Sequence, residues 1–137
     1  RIIASTSNVL IGTATDDGVN KLQVSGSTKV NVGASSTIKN TQITLADDGA
    51  VSVATALSLA TDPRGKITVV CVGGSNAIFE GYLQGNTNAV LMTSELNSDD
   101  ADTDTKLCVY STGGGGYSIK NRLGSSLSFL VIFEGRQ

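Results

Sequence analysis

The sequence predicts an all-β chain in which a short intertwined trimeric β-stalk leads into an antiparallel, jelly-roll-like β-sandwich. The first observation is compositional: charged residues make up 16% and aromatic residues 4% of the 137 positions, while sixteen glycines stand among many Ser, Thr, Asn and Val. Short strands and tight turns suit such a mixture, and long amphipathic helices do not. The second is periodic: apolar residues alternate or gather in brief runs between turn sequences, and no window sustains a helical repeat. The third is a change of texture near residue 40, before which the apolar stripes are too narrow to make a core alone.

Residues 1–40 are expected to form the stalk. NVLIG at 8–12, KLQVSGS at 21–27, KVNVG at 29–33 and STIKN at 36–40 read as very short strands. Leu22 alternates with Val24 and Val30 with Val32, so each strand offers one apolar stripe, while Asp17-Gly18, Gly26 and Gly33 supply turns that tolerate positive φ. So few large side chains do not offset the ordering entropy of the segment, and its stripes are expected to meet those of identical copies.

Residues 41–137 are expected to form the sandwich. Candidate strands are QITL at 42–45, AVSV at 50–53, residues 57–59, GKITVVCV at 65–72, AIFEGYL at 77–83, AVLM at 89–92, KLCVY at 106–110, YSI at 117–119 and residues 127–133. Between them lie Asp47-Asp48-Gly49, residues 62–65, Gly73-Gly74, Gly85-Asn86 and residues 113–116, all turn chemistry. Residues 50–60 come nearest to a helix, but their Val, Ser and Thr content favours strand. In the last strand Leu127, Phe129, Val131 and Phe133 point one way while Leu130 and Ile132 point the other, and residues 67–72 are likewise apolar on both sides. Both faces need a dry cover, either a neighbouring subunit of a cyclic trimer or loops of the same chain.

Several function classes are disfavoured. A net charge of −2 gives no bulk electrostatic case for nucleic acid or an anionic membrane. With no histidine and no tryptophan, the usual general base, the usual metal ligand and the best sugar-stacking ring are missing. The longest apolar runs fall far short of the ~20 residues that span a bilayer, so no membrane insertion is expected. The chain opens on Arg1 rather than Met and is expected to be a fragment of a longer protein. Cys71 and Cys108 fall inside expected strands and read as two buried thiols, with one inter-strand disulfide as the alternative. No catalytic residue, metal or cofactor is expected.

The stretch NVLIGTATDDGVNKLQVSGS at 8–27 resembles a segment common in tail fibre and tailspike proteins of tailed bacteriophages. QITLADDG at 42–49, YSIKNRLGSS at 117–126 and the apolar last strand also look like terminal domains of such fibres and spikes, whereas residues 60–111 show hardly any likeness. The resemblance implies a homotrimeric distal module on the virion tail, made in the bacterial cytoplasm. Such a module contacts a host-surface polysaccharide or lipopolysaccharide, or locks the trimer together. Nothing matches the self-cleaving chaperone domain that often follows the first segment, so autoproteolysis is not carried over. A purely structural trimerisation cap of a depolymerase spike is the alternative reading, and a glycosidase or lyase site on Glu80, Glu95 or the aspartates is a third.

Binding is expected on loops, which tolerate variation on a rigid scaffold. SELNSDDADTDT at 94–105 places Asp100, Asp102 and Asp104 in alternation. Cation binding, a sugar or partner contact and a plain solvated loop all fit them, although an EF-hand would need Gly where Thr105 stands. Asn86 and Asn88, with Gln84, could offer hydrogen bonds to sugar hydroxyls, and Tyr117, with Tyr82 and Tyr110, a ring face. The expected ligand contacts are therefore Asn86, Asn88, Asp100, Asp102, Asp104 and Tyr117. Asp47-Asp48-Gly49 and residues 113–116 are expected to be turns, not catalytic carboxylates or a phosphate loop. Asn121 and Arg122 are expected to be structural, the arginine pairing with a carboxylate across the sheet or subunit boundary.

Overall fold

The computed structural model describes residues 2–5, 8–11, 22–24, 29–31, 37–59, 63–84, 90–91 and 97–136. In chain order the elements are β1 (Ile2–Ser5), β2 (Asn8–Ile11), β3 (Leu22–Val24), β4 (Lys29–Asn31), β5 (Thr37–Leu45), β6 (Ala50–Ser52) and α1 (Val53–Leu57). There follow β7 (Arg64–Cys71), β8 (Ile78–Gln84), β9 (Val90–Leu91), β10 (Ser98–Asp99), β11 (Leu107–Gly113), β12 (Gly116–Asn121) and β13 (Leu127–Arg136). The fold is all-β, as composition and periodicity predict.

Two sheets make the sandwich. The larger runs β4-β5-β13-β7-β8-β9 and the smaller β10-β11-β12-β6. Pairing is antiparallel within both, except that β10 lies parallel to β11. A third, three-stranded sheet, β1-β2-β3, is built from the N-terminal segment.

Strand alternation decides which side chains meet in the middle. From the larger sheet Phe129, Val131 and Phe133 of β13, Ile67 and Val69 of β7 and Phe79 and Leu83 of β8 turn inward and are fully buried. Leu107, Val109, Tyr117 and Ile119 of the smaller sheet meet them in one cluster. Each large apolar side chain so buried contributes about 1.5–3 kcal/mol, which a chain with only three phenylalanines must concentrate in one place. Ser98 Oγ donates to the carbonyl of Ile78 at 2.6 Å and ties the two sheets along one side.

On the other side the gap is closed by α1, where a strand is expected from the sequence. The difference has a local cause. Ser52 Oγ accepts from Thr55 N at 3.0 Å as an N-cap, Ser58 stops the turn in the left-handed region at φ 49°, and Val53 and Leu57, four residues apart, both face the core. One satisfied cap and two buried side chains outweigh β-branched content over so short a stretch. Consequently residues 57–59 form no strand. Lys39 Nζ donates to the Ser58 carbonyl and fastens β5 to the end of α1.

The division expected between residues 40 and 41 falls inside β5, which runs unbroken from Thr37 to Leu45 alongside β13. Because β4 pairs with β5, the sandwich begins earlier than the change of texture suggests. Alternation of β-branched residues carries β5 across that point, and side-chain size, the signal used to place the boundary, does not mark where hydrogen bonding starts. Two of the expected turns are present: Gly49 N donates to the Ala46 carbonyl at 2.9 Å, closing Asp47-Asp48-Gly49 with Asp48 at φ 59°. Gly114 and Gly115, at φ 60° and 81°, form a two-residue hairpin loop between β11 and β12.

Gly135 lies opposite Gly65 in the pairing of β13 with β7. A Cβ on Gly135 would stand 2.2 Å from the Arg64 carbonyl oxygen and 2.7 Å from the Phe133 ring, whereas one on Gly73 would meet nothing within 4 Å. Gly135→Ala is expected to lower unfolding free energy by about 1–3 kcal/mol, as overpacking does, and Gly73→Ala to leave it nearly unchanged. Urea denaturation of the two variants distinguishes these outcomes.

Candidate functional site

The smaller sheet carries most of the polar chemistry described. On its outer face Cys108 of β11 is fully buried, because residues 100–106 fold back over it. The thiol donates to the Thr103 carbonyl at 3.2 Å, and burial pushes its pKa up. Cys71 is also buried and unbridged, its thiol donating to the Gly73 carbonyl at 3.1 Å. Both cysteines are thus buried thiols, as expected from their places in strands.

The covering loop is held by charge. Lys120 Nζ reaches Asp102 Oδ2 at 2.8 Å, and the Arg122 guanidinium meets Asp102 Oδ1 at 3.0 Å and Asp104 Oδ1 at 3.4 Å. Arg122 Nε stands 3.5 Å from Asp48 Oδ1, close enough for attraction but without a formed hydrogen bond. The hydrogen bond from Lys120, then that from Arg122, holds the Asp102 carboxyl below the usual range, and the Thr103 side chain does the same for Asp99. Lys120 and Arg122 are raised in turn, chiefly by Asp102.

Next to this latch stands Asn121, 0% exposed. Its Nδ2 donates to the carbonyls of Leu45 at 3.0 Å, Ala46 at 3.1 Å and Ser125 at 2.8 Å, while Oδ1 accepts from Leu123 N at 3.1 Å. One amide therefore satisfies the backbone at the end of β5 and in the turn before β13. Asp47 Oδ1 completes the junction by accepting from Gly124 N at 3.0 Å.

A cleft of about 250 Å³ opens where β6 and α1 meet the β11–β12 hairpin. Ser52, Ala54, Pro63, Thr112, Tyr117 and Ser118 line it, with Gly115 and Gly116. Among the described residues, no Asp, Glu, Lys or Arg lines it.

No protein-family model, curated protein or solved structure matches this chain.

The residues expected to contact a ligand do not converge. Asp102 and Asp104 are engaged by Lys120 and Arg122, and Asp100, half-buried in the same loop, makes no ion pair with a described residue. No group of three or more potential metal ligands occurs among the described residues. Tyr117 is 2% exposed, its ring lies in the core and its hydroxyl accepts from Gln84 N at 2.8 Å, although the residue also lines the cleft. Its place in β12, alternating with Ile119 and Asn121 on the inner face, is the reason for that burial. Asn86 and Asn88 lie outside the described residues. Arg122 pairs with carboxylates as expected. The cleft was not anticipated, because its walls come from segments that each read as an ordinary turn, strand or hairpin.

Two outcomes follow. Asn121→Ala leaves buried carbonyls unpaired and is expected to cost about 2–5 kcal/mol in denaturant unfolding, a loss that Asn121→Asp, with no amide donor, does not repair at neutral pH. Asp99 and Asp102 titrate lower in the fold than in the unfolded chain, so their contribution is intact above the ordinary aspartate value of about 3.9 and is lost as pH falls through their folded-state values below it. The raised Lys120 gives the opposite limb, intact below about 10.4 and lost above. Asp102→Asn is therefore expected to speed Cys108 modification by a thiol reagent at neutral pH, read by peptide mass mapping, while Cys71 labels as before. Unchanged Cys108 labelling contradicts the latch.

Proposed function

We propose that this chain is a distal module of a bacteriophage tail fibre or tailspike, which assembles as a homotrimer and contacts a host-surface glycan. The observation that carries the reading is the outward face of the larger sheet. Leu130 of β13 is in register with Val70 of β7, and Val70 with Ile78 of β8, while Ile132 stands on the same face two residues on from Leu130. All four are half-buried on the side facing away from the core, and Val72 and Tyr82 nearby are 49% and 42% exposed. A central pair of strands that is apolar on both sides needs a cover, and an identical copy is the simplest one. Around the patch stand Thr68, the Lys66–Glu80 ion pair at 3.0 Å, Asn40 and Gln42, giving the polar rim that interfaces have. The likeness of residues 8–27 to fibre segments supports the viral setting.

A purely structural trimer cap is the second reading, favoured by the way Asp102, Asp104 and Tyr117 are used inside the fold. Sedimentation tests the assembly and pull-down on isolated lipopolysaccharide or capsular polysaccharide tests the contact. We expect three times the chain mass of 14.0 kDa. Leu130→Glu is expected to shift the chain to monomer while a cooperative melt remains. A wild-type monomer contradicts the reading; a trimer that retains no polysaccharide favours the cap.

A further inference from the structure

We propose that residues 100–106, the strap that crosses the outer face of the smaller sheet, open as a unit while the sandwich stays folded, so that ionic strength controls access to the Cys108 thiol beneath. The strap hangs between two buried anchors. Ser98 holds one end through its hydroxyl, which donates to the Ile78 carbonyl at 2.6 Å, and fully buried Leu107 holds the other. Between them the sequence DADTDTK at 100–106 has a single apolar side chain, Ala101, and that one is exposed. The strap thus has no apolar side chain buried against the sheet, which is the mark of a segment that opens at low free energy.

Charge does the fastening. Lys120 Nζ donates to Asp102 Oδ2 at 2.8 Å, and the Arg122 guanidinium donates to Asp102 Oδ1 at 3.0 Å and to Asp104 Oδ1 at 3.4 Å. These groups are reached by solvent, the Asp104 side chain being 78% exposed, so dissolved salt screens their attraction. Against the clasp works the backbone of Thr105, at φ 64°, a conformation that strains a β-branched residue. Such strain persists only where the surroundings impose it, and its neighbour Asp104 is one of the clasped residues. The main-chain bond from strap to sheet, Arg122 N donating to the Lys106 carbonyl at 3.0 Å, lies at the anchored end, whereas Thr103 N turns back to the Ala101 carbonyl at 2.9 Å within the strap. Beneath, the Cys108 thiol donates to the Thr103 carbonyl at 3.2 Å, a weak bond that water replaces. Loosening the clasp therefore relieves Thr105 as the strap lifts, and bares a cysteine that is 0% exposed when it is down.

The test is the rate at which iodoacetamide, an uncharged reagent, labels Cys108 and Cys71 in the full chain, read by peptide mass mapping. Raising sodium chloride from about 0.02 M to about 1 M is expected to speed Cys108 about threefold or more and to leave Cys71 unchanged. Lys120→Gln breaks the clasp from the sheet side without making the thiol more acidic, and is expected to give a similar gain at low salt. Thr105→Asn, whose side chain suits the left-handed region, is expected to slow Cys108 about twofold or more. Low urea is expected to raise Cys108 labelling far less steeply than it raises global unfolding. Salt-independent labelling, or rates that neither variant moves, overturns the charge clasp. Equal salt acceleration of both cysteines, or Cys108 labelling with the urea slope of global unfolding, overturns the independent opening.

Discussion

The strand β13 is the constraint on which the sandwich depends. It pairs with β5 on one side over nine residues and with β7 on the other over eight, and it places Phe129, Val131 and Phe133 in the middle of the core. Without it the larger sheet would part into β4-β5 and β7-β8-β9, and the smaller sheet would face no continuous wall. Because the pairing joins residues 37–45 to residues 127–135, the core closes only when the two ends of this region meet. Such non-local pairing is slow to form and leaves edges open until it is complete. The close approach of Gly65 and Gly135 belongs to the same seam, since the strands there come too near for a Cβ.

In a chain with so few charges, several of the described ones are gathered where backbone needs holding. Arg122 and Lys120 collect Asp102 and Asp104 into a clasp over the outer face of the smaller sheet, with Asp48 close by Arg122. Asn121, one residue before Arg122, serves the carbonyls on the inner side. Partly exposed ion pairs of this sort contribute little one by one, and the network matters because it positions a loop over a buried thiol. The apolar outward face of the larger sheet stands apart from this network.

Much of the fold was legible in the residues. The strands around Ile43, Val69, Phe79, Val109 and Val131 follow from alternation or from brief apolar runs between turns, and the turns at Asp48-Gly49 and Gly114-Gly115 from the need for positive φ. The two-sided character of β13 was legible too, because Leu130 and Ile132 interrupt the expected polar alternation. α1 was not: a five-residue helix leaves no measurable period, and its cap, Ser52 with Thr55, looks like many Ser and Thr pairs here. Nor did the start of the sandwich show itself, since β4 and β5 carry small and polar residues whose partners are distant in sequence. The aspartates at 102 and 104 suggested a ligand because their cationic partners, eighteen or more residues away, become neighbours only through the sheet. The cleft was hidden for the same reason.

Native-state hydrogen exchange addresses the central role of β13 most directly. The account predicts that amides of β13 and of its partners in β5 and β7 exchange only through global unfolding and share the highest protection in the chain. Exchange of β13 through a smaller opening, at lower free energy than the β11–β12 hairpin, would contradict it.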